Sequence, residues 1–306
     1  MKRRDFLGLT TLAAGAALAP TALNQSAVAQ TTATNEPIEP VWYPLTKEVK
    51  TTRIGFGTGM RGGQRRSDII RMGYPKAIEL IRFAYDKGIR LFDLADMYGT
   101  HDVVAEALKD KPRDSYVLVS KCWVRPGGLP ETERLAPEIL VRRFLRECRT
   151  DYIDLVLLHC MDKDTWTSEY ADAMESLTKA KQSGLIRAHG ISSHAFAATE
   201  LAAKTEWCDA VIVRINGEGI EMDGPKDDPE TVPKAVRSVK MNHEAGKGVL
   251  AMKVIGQGTM PDPEVRKRTT KFLMDLGTIN AMVVGFGEKD HITEFVTNVA
   301  AVEEGA

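Results

Sequence analysis

From Lys50 onward, short apolar runs alternate with amphipathic stretches. The run 53–57, Arg-Ile-Gly-Phe-Gly, reads as a strand ending at glycine. Residues 75–87 follow as a helix, with Ile78, Ile81, Phe83 and Ala84 near one face and Gly88 as its stop. The same alternation predicts strands at 89–93, 116–121, 152–159, 186–191, 210–215, 249–254 and 281–284. Helices are predicted at 103–108, 136–149, 169–183, 194–204, 230–244, 263–276 and 289–302. Gly184 caps one of these, and Pro233 falls in the first turn of another, where a missing N–H is tolerated. Strands that are apolar on both sides and alternate with helices indicate a parallel sheet covered on both faces. Eight such units predict a closed (β/α)8 TIM barrel, class α/β, as a single domain. The alternative is an open doubly wound sheet. That fold usually carries Gly-x-Gly-x-x-Gly after its first strand, and Gly55-Phe56-Gly57-Thr58-Gly59 lacks that spacing.

The first residues break the pattern. Lys2, Arg3 and Arg4 precede a mildly apolar run from Phe6 to Ala19, and Ala27-Val28-Ala29 has the small-x-small form of a cleavage site. This is a targeting segment, too short to span a bilayer. Arg3-Arg4-Asp5-Phe6-Leu7 resembles a twin-arginine export signal; an ordinary secretory signal is the alternative. The expected organisation is a signal peptide at 1–29, a linker or surface arm at 30–50 and the barrel at 51–306. The expected location is the periplasm, with the twin-arginine translocase as a partner during export and no membrane span in the mature chain. The formal charge is −1. Removing 1–29 takes away Lys2, Arg3, Arg4 and Asp5 and leaves it more negative, which argues against a nucleic-acid partner. The four cysteines form no Cys-x-x-Cys pair, so they are read as structural fillers. No metal-ligand cluster is visible, and His101, His189, His194 and His243 are read as surface or turn residues.

Barrels place their chemistry at the carboxyl ends of the strands. Asp93, Lys121 and His159 end the second, third and fourth predicted strands, and Tyr98 lies five residues after Asp93. Each alone has a plain structural reading: a turn cap, an edge charge, a rim residue, a packing ring. Together they support proton donation to a carbonyl oxygen. A free tyrosine titrates near ~10, and an ammonium beside it is expected to lower that value. Lys121 is assigned that charge, Asp93 the role of holding Lys121, and His159 the orientation of the substrate oxygen.

Leu91-Phe92-Asp93-Leu94-Ala95-Asp96-Met97-Tyr98-Gly99 is similar to the signature around the Asp and Tyr of the aldo-keto reductase family. Ser120-Lys121 resembles its lysine strand and Leu157-Leu158-His159 its histidine strand. The resemblance implies a (β/α)8 barrel, the four roles above, a small-molecule carbonyl substrate and NADPH as hydride donor, with NADH left open. Cofactor contacts are implied at Gly57 and Thr58, at Ser192 and Ser193, at Met252 and Lys253, and at Gly285, Gly287, His291 and Glu294. Gly190-Ile191-Ser192-Ser193 looks like the family's Gly-x-Ser-Asn turn, with Ser193 in place of Asn. Met252 stands where many members stack a Tyr on the nicotinamide. His291 and Phe295 stand where an Arg and an Asn are usual; Lys289 is a substitute cation and Glu288 an opposing charge. Lacking an obvious C-terminal closing loop, the chain is expected to shape its pocket with the stretch 60–74 and the loop 125–137. Arg61, Arg65 and Arg66 are read as solvated loop charges, with contact to an anionic or sugar substrate as the alternative. Two other functions stay open: a nucleotide-binding sensor with little turnover, and a non-redox lyase or epimerase acting on an oxidised sugar.

Overall fold

The computed structural model describes residues 37–305; the export signal expected at 1–29 lies outside them. A short hairpin comes first, β1 (Tyr43–Pro44) paired antiparallel with β2 (Lys50–Thr51). The barrel then runs β3 (Ile54–Gly57), α1 (Asp68–Arg71), α2 (Tyr74–Asp86), β4 (Leu91–Asp93), α3 (His101–Leu108), β5 (Val117–Cys122), α4 (Pro137–Cys148) and β6 (Ile153–Met161). It continues with α5 (Trp166–Glu169), α6 (Ala171–Gln182), β7 (Ile186–Ser193), α7 (Phe196–Lys204), β8 (Ala210–Arg214), α8 (Thr231–Glu244), β9 (Gly248–Met252), α9 (Pro263–Asp275), β10 (Ala281–Val284) and α10 (Lys289–Glu304). β3 to β10 form one closed parallel ring, and β10 returns to β3 through Met282↔Ile54, Val283↔Gly55 and Val284↔Phe56. That closure excludes the open doubly wound sheet.

Successive strand residues face opposite sides, and the chain uses this to build two cores. Leu91, Val117, Val119, Leu155, Leu157, Ala188, Ala210, Ile212, Leu250, Ala281 and Val283 fill the barrel interior. The alternate residues, Phe92, Leu118, Val156, Leu158, Ile191, Val211 and Val249 among them, pack outward against the helices.

Three features depart from the sequence pattern. Residues 43–51, nearly all within the stretch 30–50 read as a linker or arm, form a hairpin whose Leu45 and Val49 are buried against the interior cluster and close the amino-terminal end of the barrel. Two residues per strand are too few to show a period. The helix expected at 169–183 is divided at Tyr170, because Trp166 inserts into the core and its indole N–H reaches the Ala198 carbonyl at 3.3 Å. The loop 60–74 carries the one-turn helix α1.

Two of the four scattered histidines are also buried rather than superficial. His101 stacks on Phe144 at 4.5 Å and meets Glu147 and Ser120, while His189 stacks on Trp207 at 4.3 Å. Both are held by aromatic partners far along the chain, which a local reading does not show.

Candidate active site

The two-residue period of the strands predicts which rim side chains point inward. On β4, Leu91 is interior, so Asp93 is too; on β5, Val117 and Val119 lead to Lys121; on β6, Leu155 and Leu157 lead to His159. The three groups therefore stand one above the last apolar layer, on the same inner face. Lys121 Nζ donates to Asp93 Oδ1 at 2.5 Å and to the Leu94 carbonyl at 2.9 Å, and both side chains are buried. Tyr98 ends the single 3-10 turn Asp96–Tyr98. Asp96 anchors that turn through Arg143 and, at 3.3 Å, Arg65. Gly99 must be glycine here: its φ is +68°, and a Cβ would lie 2.3 Å from the Arg65 carbonyl oxygen.

The Tyr98 hydroxyl lies 3.5 Å from His159 Nε2, with the rings edge to face at 5.6 Å. Lys121 Nζ is 4.9 Å from the centre of the Tyr98 ring. Trp123, two residues past Lys121, meets the His159 ring edge to face at 5.4 Å. The sequence reading did not single out Trp123, although its place just past a strand end was the available signal.

Electrostatics correct one expectation. The Tyr98 hydroxyl is pushed well above its ordinary value, first by burial, then by the Asp93 carboxylate and by Cys160. The expected lowering by Lys121 is absent because Lys121 aims its charge at Asp93 and Leu94, so Tyr98 faces a nearly neutral pair with the carboxylate's field added. Burial also raises the Asp93 carboxyl, and the Lys121 ammonium offsets it. His159 is driven well below the usual histidine range, first by burial and then by the Lys121 charge. At neutral pH the site thus presents a phenol O–H and an uncharged imidazole to the barrel mouth. Those two groups can hold a carbonyl oxygen, and the phenol can protonate an alkoxide, which is a stronger base than a phenolate.

The groups expected to hold a cofactor divide into two sets. Ser192 Oγ is buried without a hydrogen-bond partner, and so is His159 Nδ1. A buried hydroxyl left unpaired at a rim calls for an outside group, and Ser192 fits an amide. Met252 has interior parity at the end of β9 and is half-buried. Gly57 lets β10 approach, since a Cβ there would stand 3.1 Å from Val283. Gly287 is open, with only His291 Nδ1 near at 3.9 Å, and His291 is exposed. The remaining groups are engaged within the protein. Ser193 Oγ donates to the Ala195 carbonyl at 2.9 Å and accepts from Thr199 at 2.7 Å. Thr58 Oγ1 donates to the Asp93 carbonyl at 2.8 Å and shares a 2.7 Å bond with Thr100. Glu294 pairs with Arg266 at 2.6 and 2.7 Å, and Lys289 pairs with Glu79. Phe295 packs on Phe286 in the core. Above Gly285 lies Met60, whose Sδ would be 2.5 Å from a Cβ.

The sequence pattern of the aldo/keto reductase family matches residues 53–290. The chain belongs to the aldo/keto reductase family. Among similar proteins, the aldo-keto reductase YhdN of Bacillus subtilis is 33% identical over 152 residues, 47% of this chain and 44% of that one. The NADH-specific methylglyoxal reductase of Escherichia coli is 30% identical over 166 residues, 48% of this chain and 50% of that one. The chain thus spans about half the length of these curated relatives. The fold is shared with the holo form of an aldo-keto reductase from Bacillus halodurans (TM-score 0.67, 19% identity, 87% and 95% of the two chains covered). It is also shared with a Klebsiella pneumoniae aldo/keto reductase solved with NADP and acetate (TM-score 0.62, 19% identity, 86% and 90% covered).

In this aldo/keto reductase the loop after β3 covers the Tyr98 ring. A Cβ on Gly59 would sit 2.3 Å from the Tyr98 ring, and one on Gly62 at 2.8 Å. Arg65 of that loop, read from sequence as solvated, is tied to Asp96 and, at 2.7 Å, to Glu133; Arg61 and Arg66 are exposed. Among the described residues all four cysteines are buried and unpaired. Cys160 adjoins His159 at the rim and has a left-handed φ of 62°.

Proposed function

We propose that this aldo/keto reductase reduces an aldehyde or ketone to an alcohol, with Tyr98 as the general acid and a reduced nicotinamide dinucleotide as the electron source. The carrying observation is the Tyr98–His159 contact beside the buried Lys121–Asp93 pair, all on the inward face of the mouth. When bound, the dinucleotide supplies hydride to the carbonyl carbon. Ser192 is the residue best placed to hold its amide, and Gly287 leaves room just past β10. NADPH is the donor the family resemblance implies, with NADH as its competitor. The nearest cations at the His291 end, Lys289 and Arg266, already hold carboxylates, so discrimination between the two is expected to be weak.

The chain's own residues do the rest. Tyr98 and His159 Nε2 grip the substrate oxygen, and their hydrogen bonds strengthen as charge grows on it. The Tyr98 proton passes to that oxygen. Asp93 keeps Lys121 in place beside the Tyr98 ring, with Nζ 4.9 Å from its centre. Trp123 and the glycine loop over Tyr98 keep water from the reacting oxygen. At neutral pH the resting phenol holds its proton, which is the form a general acid needs.

The test is Tyr98→Phe, with turnover followed at 340 nm and NADPH and NADH affinities titrated in parallel. Turnover is expected to fall about 10²–10⁴-fold with nucleotide affinity kept. Unchanged turnover would remove Tyr98 from the mechanism, and nucleotide binding without turnover by the wild type would favour the sensor reading.

The same proposal places the enzyme in the periplasm after export by the twin-arginine route. Arg3-Arg4-Asp5-Phe6-Leu7 and Ala27-Val28-Ala29 support it, as do the four unpaired buried thiols, which suit folding in a reducing compartment before export.

A further inference from the structure

The inward parity that picks out Asp93, Lys121 and His159 picks out one more charged residue. On β8, Ala210 and Ile212 are interior, so Arg214 at the strand's end also faces the mouth. Its guanidinium donates to His194 Nδ1. The imidazole proton therefore sits on Nε2, which faces Cys160 Sγ at 3.4 Å, and Cys160 adjoins His159. Arg214 is thus linked through His194 to Cys160, the chain neighbour of His159.

Arg214 is incompletely satisfied. Its Nε lies 3.5 Å from Asp223 Oδ1, yet neither atom makes a hydrogen bond, and both are buried. Beside it is Lys253, a residue the family resemblance puts near the cofactor, one position beyond Met252, the register partner of Arg214. Among the described residues Lys253 Nζ has no hydrogen-bond or ion-pair partner. The acidic groups nearby are Asp223, the exposed Glu221, and Asp162, which is occupied by Arg125.

The backbone adds a second, independent sign. Lys253 and Cys160 both have φ of 62° at the ends of barrel strands. For side-chain-bearing residues this is strained and tends to persist where the position serves a site. Asn216 enforces it at Lys253 by donating to its carbonyl at 2.9 Å. The charges crowd one another accordingly. Lys253 is lowered to about 8, by burial first and by Arg214 next, and His194 to about 3 by burial, Arg214 and Lys253. Partly buried like charges beside an unpaired donor are the arrangement an anion relieves.

We infer that Arg214 and Lys253, with His194 locked against Arg214, form a subsite for a carboxylate or phosphate on the substrate. The substrate class is therefore a carbonyl compound carrying an anionic group; this rests on the carbonyl-reduction reading. Arg214 provides direction through its planar donors, and Lys253 provides charge.

The experiment is calorimetric titration of the full chain, saturated with NADP, with 4-formylbenzoate and with its neutral methyl ester. The acid is expected to bind at least about tenfold tighter than the ester. Arg214→Gln is expected to erase that preference, and Arg214→Lys, which keeps the charge, to restore part of it. Equal affinity of acid and ester in the wild type overturns the subsite, and so does a preference that survives in Arg214→Gln. If Arg214→Gln instead weakens NADP and leaves the acid's preference intact, the cations serve the dinucleotide's diphosphate and the inference is wrong. Turnover of both aldehydes with NADPH is measured separately. A wild type that prefers the acid yet reduces neither compound keeps the anion subsite and sinks carbonyl reduction.

Discussion

A buried histidine near the middle of the fold shows how much a single side chain contributes to behaviour with pH. His189 stacks on Trp207, and Asp209 lies 3.4 Å from its Nδ1. That carboxylate is already shared between Lys181 at 2.6 Å and the His189 backbone N–H at 2.9 Å. Little of its charge is left to hold an imidazolium, and burial lowers the ring to about 4. In the unfolded chain the same ring titrates near ~6.5. Between those values the unfolded state binds a proton that the folded state refuses, so stability falls as pH drops through that window. The loss from this residue is about 2 kcal/mol at pH 5 relative to pH 7. His189→Asn should therefore flatten the pH dependence of urea unfolding by about that amount; equal slopes would mean that Asp209 does hold a charged ring. At the mouth the same contest between burial and charge runs through Lys121, Asp93 and Tyr98. The sequence placed those residues correctly, but it got the direction of the Tyr98 shift wrong, because who shares the ammonium is decided by distances of about a hydrogen bond.

Secondary elements meet closely where the chain provides no side chain. Gly190 on β7 lies opposite Ala210 on β8, and a Cβ there would stand 1.8 Å from the Ala210 carbonyl oxygen. Backbone cannot rotate away as a flexible side chain can, so Gly190→Ala must push two hydrogen-bonded strands apart. The expected cost is about 3 kcal/mol, a fall in Tm of about 6–10 °C for a domain of this size. A variant melting within about a degree of wild type would show that the ring yields more easily than its geometry indicates. The strands and most helices were legible because each runs through several periods of its own pattern. The hairpin at 43–51 and the division at Tyr170 were not, because one is shorter than a period and the other depends on Trp166 finding room beneath α7.

For the molecule as a whole, closure governs when it can work. β3 at 54–57 pairs with β10 at 281–284, so the ring cannot form until nearly the whole barrel sequence has been made. Asp93, Lys121 and His159 come from the neighbouring strands β4, β5 and β6, and Arg214 and Lys253 from β8 and the end of β9, so the mouth has all of these groups only when the ring is complete. This accords with the proposed export of a finished barrel. Replacing Arg3 and Arg4 by Lys together should leave the full-length protein in the cytoplasm, whereas the wild type should yield a periplasmic species beginning near Gln30. Cell fractionation with N-terminal mass spectrometry reads this directly, and a wild type that stays cytoplasmic and uncleaved would end the export proposal.

The sequence by itself determined the alternation of strands and helices, the eightfold count, and the positions of Asp93, Lys121 and His159 at strand ends. All of these follow from short-range periodicity, which one stretch of chain carries without help. Tertiary structure alone decided that the ring closes, that Leu45 and Val49 seal its base, and that Ser193, Glu294 and Lys289 are spent on partners within the protein. It also decided that Arg214 and Lys253 converge beside His194. Each of those depends on groups brought together from distant parts of the chain, where angstrom separations and burial set both the packing and the charge.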